Sequence, residues 1–96
     1  MFARVVTMQF KPELVEDGIR IFKKELLPSA KKLKELKESY LLVDRQLGKI
    51  MGFTVWESEK AMQEYATTFN RWLSESGQKF GPTQAVDVYE VEGAEV

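Results

Sequence analysis

The sequence predicts an α+β domain in which four strands and two helices follow one another in the order βαββαβ. Three observations lead to this order. Two stretches with helical spacing of apolar residues each follow a strand-like stretch, two strand-like stretches meet at Gly48, and a further one lies near the end of the chain. A length of 96 residues suits one compact domain, which we expect to span 1–96.

The first half of the chain is predicted to hold one strand and one helix. Residues 3–10 (ARVVTMQF) form the strand, because β-branched and aromatic residues dominate there. Pro12 suits the first turn of the helix, where its missing N–H needs no partner. Pro28 is expected to end or kink this helix, with residues 29–37 forming a second short helical piece. The apolar residues of the helix recur at helical spacing, at Val15, Ile19, Phe22 and Leu26.

The second half is predicted to hold a hairpin, a helix and a last strand. Residues 40–47 (YLLVDRQL) and 49–56 (KIMGFTVW) flank Gly48 as two strands whose register the sequence leaves open. Ser58 suits the N-cap of the helix and Gly77 its end. The stretch GQKFGPT is then a loop, and residues 85–91 (AVDVYEV) form the last strand. Apolar residues trace one face of the helix, at Met62, Tyr65, Ala66, Phe69 and Leu73, with Trp72 beside them.

This order is that of the ferredoxin-like fold, a four-stranded antiparallel sheet with two helices on one face. The helices are expected to cover one set of strand residues or their immediate neighbours: Val6, Met8, Val43, Met51, Phe53 and Val55. The other face then keeps a second set, Val5, Leu42, Ile50 and Trp56 beside Thr7 and Thr54. Because soluble monomers rarely expose large apolar patches, we expect a homodimer in which two sheets meet face to face.

Composition excludes several classes of function. The chain has no cysteine and no histidine, so a catalytic triad with histidine, a histidine-ligated zinc and a histidine-ligated haem cannot be built. With no glycine-rich phosphate-binding loop either, we expect no metal, haem, flavin or other cofactor. The 14 basic and 15 acidic residues nearly cancel, which predicts neither nucleic acid nor a membrane as partner. The lack of a membrane span or a secretory signal predicts a cytoplasmic protein.

One stretch resembles a known family. In GFTVWESEKAMQEYATT, a strand ending in Trp-Glu-Ser runs into a helix opening Glu-Lys-Ala, and this resembles the antibiotic biosynthesis monooxygenase-like proteins of the dimeric α+β barrel superfamily. The resemblance implies a dimeric barrel and, in some members, cofactor-free oxygenation of aromatic polyketides or quinols. The haem-degrading branch uses an Asn, a Trp and a His, whose positions fall here near residues 5–7, at Tyr65 and near Glu75. None of the three is kept, so the resemblance does not extend to haem.

A ligand pocket is predicted between the second helix and the sheet, where aromatic side chains converge. Flat ligands stack on such rings, and Tyr65 and Asn70 could orient a hydroxyl or carbonyl group. Tyr65 also takes the helix position of a functional aromatic residue in one branch of the resembling family. The alternatives are that the rings only fill the core, and that Tyr65 and Asn70 are half-exposed helix residues without a ligand. The pocket candidates are Trp56, Tyr65, Phe69, Asn70 and Trp72.

Two functions remain open at this point, and no catalytic residue is assigned. The first is a cofactor-independent monooxygenase-like protein acting on a small aromatic or quinol-like compound. The second is a non-catalytic homodimer that binds a small ligand or serves as an interaction module. An open cavity beside Tyr65 and Trp72 would favour the first function, and a filled core would favour the second.

Overall fold

The computed structural model describes residues 1–76 and 83–93, and its four strands form one antiparallel sheet in the order β2-β3-β1-β4. Two helical regions, one on each side of the central hairpin in sequence, pack on this sheet. The predicted ferredoxin-like α+β fold is therefore confirmed. The strands are β1 (Phe2–Gln9), β2 (Leu36–Asp44), β3 (Lys49–Trp56) and β4 (Thr83–Glu90), and the helices are α1 (Val15–Ile21), α2 (Leu27–Lys31) and α3 (Glu59–Ser76).

The first helical region continues through Pro28, where the sequence predicted an end or a kink. A π-helical turn over Phe22–Leu26 joins α1 to α2, and in it the Leu27 N–H bonds to the Phe22 carbonyl, five residues back. Pro28 thus enters near the start of α2, where its missing N–H costs little. The predicted helical piece over 29–37 already ends at Lys31. Strand β2 then begins at Leu36 rather than at residue 40.

The predicted hairpin joins β2 and β3, and its register is now defined. Asp44 lies opposite Lys49, and Tyr40 lies opposite Phe53. Gly48 closes the turn with a φ of 69°, a left-handed conformation that glycine adopts without strain. Its carbonyl accepts a hydrogen bond of 2.7 Å from the Phe10 N–H at the end of β1. The turn is therefore tied to the central strand as well as to its own hairpin.

The helices cover a different face of β3 from the one expected. Val6, Met8 and Val43 lie under the helices as predicted, but Ile50 (2% exposed) and the fully buried Trp56 also belong to this core. Strand β3 carries apolar side chains on both of its faces, so its sequence pattern does not show which face lies under the helices. The residues that were expected under the helices and instead share the opposite face with Val5 are Met51, Phe53 and Val55.

The face of the sheet without helices is apolar over much of its area. Leu42 is 50% exposed and Tyr40 51% exposed on β2, and Tyr89 is 57% exposed on β4. Between these two strands lie the half-buried Val5 and Phe53. We call this surface, formed by Val5, Tyr40, Leu42, Phe53 and Tyr89, the open sheet face.

Helix α3 begins with the predicted cap. The Ser58 hydroxyl accepts a hydrogen bond of 3.2 Å from the Ala61 N–H and donates one of 3.0 Å to Glu35 Oε2. From this start, Met62, Tyr65 and Phe69 turn into the core. Gly77, the predicted stop, and most of the predicted loop lie outside the described residues, as does the side chain of Leu73.

Candidate functional site

Arg4 is a charged residue in the middle of the sheet, on the face that the helices cover. Strand β1 alternates Arg4, Val6 and Met8 toward the helices, and Arg4 is only 3% exposed. Its guanidinium carbon lies 4.9 Å from the centre of the Phe69 ring and 5.7 Å from that of Tyr65. Among the described residues, no carboxylate pairs with this guanidinium. The core of the domain therefore contains a cation held between aromatic rings.

This arrangement has a cost in stability. Burial lowers the pKa of Arg4, with the Tyr65 side chain opposing the shift, but guanidinium groups stay protonated in proteins. Taking an ion out of water costs several kcal/mol, and the two desolvated cation–π contacts return about 2 kcal/mol each, which offsets much of that cost. Arg4 therefore adds little net stability compared with an apolar side chain of similar size.

Tyr65 lies beside Arg4 and is buried as deeply. Burial raises the pKa of the Tyr65 hydroxyl, and the charge of Arg4 opposes that shift. Its ring lies 5.2 Å from Trp56 and 6.3 Å from Phe69, centre to centre. Within residues 1–76 and 83–93, no hydrogen bond to the Tyr65 hydroxyl forms. Tyr65 is therefore a neutral phenol in an aromatic row, packed against a cation.

The interior around these rings is nearly filled. One small cavity, with Tyr65, Phe69, Phe22 and Arg4 in its wall, has a volume of about 10 Å³. That is about the room that one water molecule needs. A flat organic ligand does not fit between α3 and the middle of the sheet in this arrangement of side chains.

An open cleft lies on the other side of Arg4, between α3 and the edge strand β4. Its volume is about 480 Å³, within the range of about 300 to 1,000 Å³ that is typical of small-molecule sites. Glu59 and Gln63 also line it, and the Gln63 side-chain amide donates a hydrogen bond of 3.1 Å to Glu59 Oε1. The cation Arg4 and the amide of Asn70 are the other polar groups in the wall. The remaining wall residues are apolar: Met62, Ala66, Val86 and Val88.

The five pocket candidates fall into three environments. Trp56, Tyr65 and Phe69 are buried in the core, and Trp56 Nε1 donates a hydrogen bond of 2.8 Å to the Thr54 hydroxyl. Trp72 is half-buried, and its Nε1 donates a hydrogen bond of 2.8 Å to Glu25 Oε2 in the π-helical turn. Asn70 is exposed and lines the open cleft. The structure thus brings one of the five to the cleft, and the binding roles of all five stay predictions.

Arg4 is the site residue that sequence reasoning missed. A signal for it exists, because Arg4 occupies an inward position in a strand whose other inward positions hold Phe2, Val6 and Met8. A lone arginine in an apolar alternation marks either a strand end or a buried charge. The β4 wall of the cleft has no comparable signal, since Val86 and Val88 are ordinary strand residues.

Across the described ranges, no three acidic side chains come together in a way that would hold a metal ion. In the same part of the chain, no helix has both the length and the apolar character needed to cross a bilayer.

Known proteins with similar sequences are few and uncharacterized. No family model matches the chain. Two curated relatives, the uncharacterized proteins MT2634 and Rv2557 of Mycobacterium tuberculosis, are each 28% identical over 91 residues. The match takes in 95% of this chain but 41% of each relative, so the chain spans about two fifths of their length.

Solved structures share the whole architecture. A monooxygenase of Streptomyces coelicolor, ActVA-Orf6 in complex with Nanaomycin D, has a TM-score of 0.76 at 15% identity, covering 99% of this chain and 90% of that one. A structure described as an antibiotic biosynthesis monooxygenase has a TM-score of 0.72 at 17% identity, covering 99% and 100%. A dimeric ferredoxin-like protein from an uncultured marine organism has a TM-score of 0.71 at 14% identity, covering 99% and 97%. The chain therefore has the antibiotic biosynthesis monooxygenase-like fold.

Proposed function

We propose that this chain is a cofactor-independent monooxygenase-like protein that acts on a small aromatic or quinol-like compound as a cytoplasmic homodimer. The observation that carries the proposal is the open cleft between α3 and β4. It has the volume of a small-molecule site, apolar wall residues for a flat ligand, and four polar side chains, of which we assign Arg4 and Asn70 to orient the ligand. The fold shared with the monooxygenase that was solved with Nanaomycin D supports the assignment.

The chemistry needs no group that the chain lacks. An ionised phenol is electron-rich and adds dioxygen at a ring carbon, which gives a hydroperoxide. Loss of water from that hydroperoxide leaves a quinone, so one oxygen atom stays in the product and the other leaves as water. The phenol supplies the electrons, and no further reductant takes part. The protein's part is to hold the phenol in its ionised form and orient it toward dioxygen.

The test of this function is oxygen uptake with a panel of hydroquinones and hydroxylated naphthalenes, with isotopically labelled dioxygen to follow the oxygen atom into the product. Ala66→Trp places an indole in the cleft, and we expect it to abolish turnover. Thr67→Trp is the matched control on α3, since Thr67 is exposed and does not line the cleft. Equal turnover by both variants would refute a site in this cleft.

A specific observation favours a second candidate function, a non-catalytic homodimer that binds a small ligand or a protein partner. The aromatic row formed by Trp56, Tyr65 and Phe69 is packed tightly, with only about 10 Å³ of space beside it. A filled interior is what a purely structural aromatic row requires. Ligand binding in the cleft without oxygen uptake, for every compound of the panel, would establish this second function.

A further inference from the structure

Among the residues that the structure describes, none forms an ion pair with the guanidinium of Arg4. Its guanidinium contacts the rings of Phe69 and Tyr65, and rings offer no oxygen to its N–H donors. No described residue accepts a hydrogen bond from this side chain. Buried charges are normally paired, so the missing partner of Arg4 is a feature to be explained.

The position of Arg4 connects this unpaired charge to the cleft. Arg4 lies in the wall of both the small interior cavity and the open cleft, so it stands between the filled interior and the space that a ligand can enter. The acidic residue in the cleft wall, Glu59, is exposed and hydrogen-bonded to Gln63. Glu90, farther along β4, is exposed as well. Solvent screens these two carboxylates, whereas the buried guanidinium acts in a low dielectric environment.

We propose that the cleft selects anionic ligands and that Arg4 is the group that recognises their charge. The ligand class is a flat apolar body with one ionised oxygen group, either a carboxylate or a phenolate. This inference rests on the proposed function, because the ligand occupies the same cleft. A guanidinium presents N–H donors that match the two oxygens of a carboxylate or the single oxygen of a phenolate. The apolar body lies along Met62, Val86 and Val88.

The first experiment compares two probes of nearly equal shape, 1-naphthoate and 1-naphthalenemethanol, by titration calorimetry at neutral pH. We expect the wild-type protein to bind the carboxylate at least about tenfold more tightly than the alcohol. We also expect this preference to persist as the salt concentration rises, because a buried pair of charges is screened much less than an exposed one. The alcohol alone reports whether the cleft takes a flat compound, and the ratio of the two affinities reports whether it selects the charge.

Three variants assign the selectivity to Arg4. Arg4→Met keeps the length of the side chain without its charge, and we expect the two affinities to become equal within about threefold. Arg4→Lys keeps the charge without the planar set of donors, so part of the preference should remain. Arg20→Met removes the same charge from an exposed residue outside the cleft and should keep the wild-type ratio. Circular dichroism confirms that each variant is folded.

A second probe separates the two sources of an ionised oxygen. The anion of 4-nitrophenol absorbs visible light, so a titration with excess protein reads the pKa of the bound phenol. If the cleft accepts phenolates, binding to the wild type lowers that pKa by about one unit, which equals a tenfold preference for the anion. Arg4→Met should leave it unchanged. A carboxylate preference without this shift assigns the cleft to carboxylates.

Two outcomes overturn the inference while the proposed site survives. One is equal binding of the alcohol and the carboxylate by the wild type, and the other is an undiminished preference in folded Arg4→Met. If neither naphthalene compound nor the nitrophenol binds to the wild type, the inference fails together with the proposed cleft. Should Arg4→Met not fold, two other results would overturn the inference: a carboxylate preference of the wild type that is lost at high salt, or an undiminished preference in Arg4→Lys.

Discussion

The guanidinium of Arg4 packs over the ring of Phe69, with 4.9 Å between the guanidinium carbon and the ring centre. Both residues face the same interior, Arg4 from near the start of β1 and Phe69 from α3. The contact replaces the carboxylate that usually accompanies a buried arginine, and it gives back only part of the cost of burial. A residue kept at such a cost is typical of sites where function and stability compete.

The first prediction concerns the stability of the variant Arg4→Met. Methionine fills a similar volume without a charge, so we expect the variant to be as stable as the wild type or up to about 2 kcal/mol more stable. Urea denaturation at neutral pH measures this. Arg20→Met, at an exposed site, should change the free energy of unfolding by less than about 0.5 kcal/mol. A loss of more than about 1 kcal/mol in Arg4→Met would show that the guanidinium has a structural partner.

The second prediction concerns Tyr65 and alkaline pH. Burial raises the pKa of the Tyr65 hydroxyl above its unfolded value of about 10. The folded state therefore holds this proton more tightly, and the resulting stability is present below about pH 10 and is lost as the pH rises through the folded pKa. Tyr65→Phe has no such proton, so we expect it to lose less stability between about pH 8 and about pH 11 than the wild type.

Urea midpoints at both ends of this range measure the effect. Tyr40→Phe, on the open sheet face, is the matched control and should behave as the wild type does. Identical alkaline losses in Tyr65→Phe and the wild type would contradict the assignment. The same variant tests the predicted ligand role of Tyr65, because the loss of one neutral hydrogen bond would weaken binding by about 0.5 to 1.5 kcal/mol.

The sequence predicts some elements of this protein well for a simple physical reason. Residues 49–56 match β3 residue for residue, and Ser58 caps α3, because Gly48 and Ser58 are local signals whose effect does not depend on the rest of the fold. Pro28 is a local signal too. Its predicted effect was overridden by the π-helical turn at Phe22–Leu26, which rearranges the hydrogen bonds ahead of it.

The candidate site was less predictable because it depends on which face each strand turns inward. Ile50 and Phe53 are both apolar, so only the pairing of β3 with β1 decides which of them lies under the helices. The cleft depends further on how far α3 reaches toward β4, which places Asn70 near Val86. Such distances between elements are set by packing, and no short stretch of sequence encodes them.

The third prediction concerns the turn at Gly48. A Cβ at this position would lie against the Phe10 carbonyl oxygen, far inside van der Waals contact, and the positive φ disfavours any other residue. We expect Gly48→Ala to cost about 2 kcal/mol or more in the free energy of unfolding. Gly52→Ala on β3 is the control, since a Cβ there meets nothing within 4 Å. Equal stabilities of the two variants in urea would show that the turn relaxes at little cost.

The last prediction separates assembly from folding by two substitutions on the two faces of the sheet. Leu42 is half-exposed on the open sheet face, so Leu42→Glu should leave the protomer folded while weakening a sheet-to-sheet homodimer by tenfold or more, about 1.4 kcal/mol. Ile50 was expected on that face but is buried under the helices. Ile50→Asp places a carboxylate in the core, so we expect it to unfold the protomer rather than dissociate a folded dimer.

Sedimentation velocity across micromolar concentrations, with circular dichroism on the same samples, distinguishes the two effects. A wild-type protein that sediments as a monomer throughout that range would rule out a homodimer through the open sheet face, whereas a folded, dimeric Leu42→Glu would move the interface to another surface.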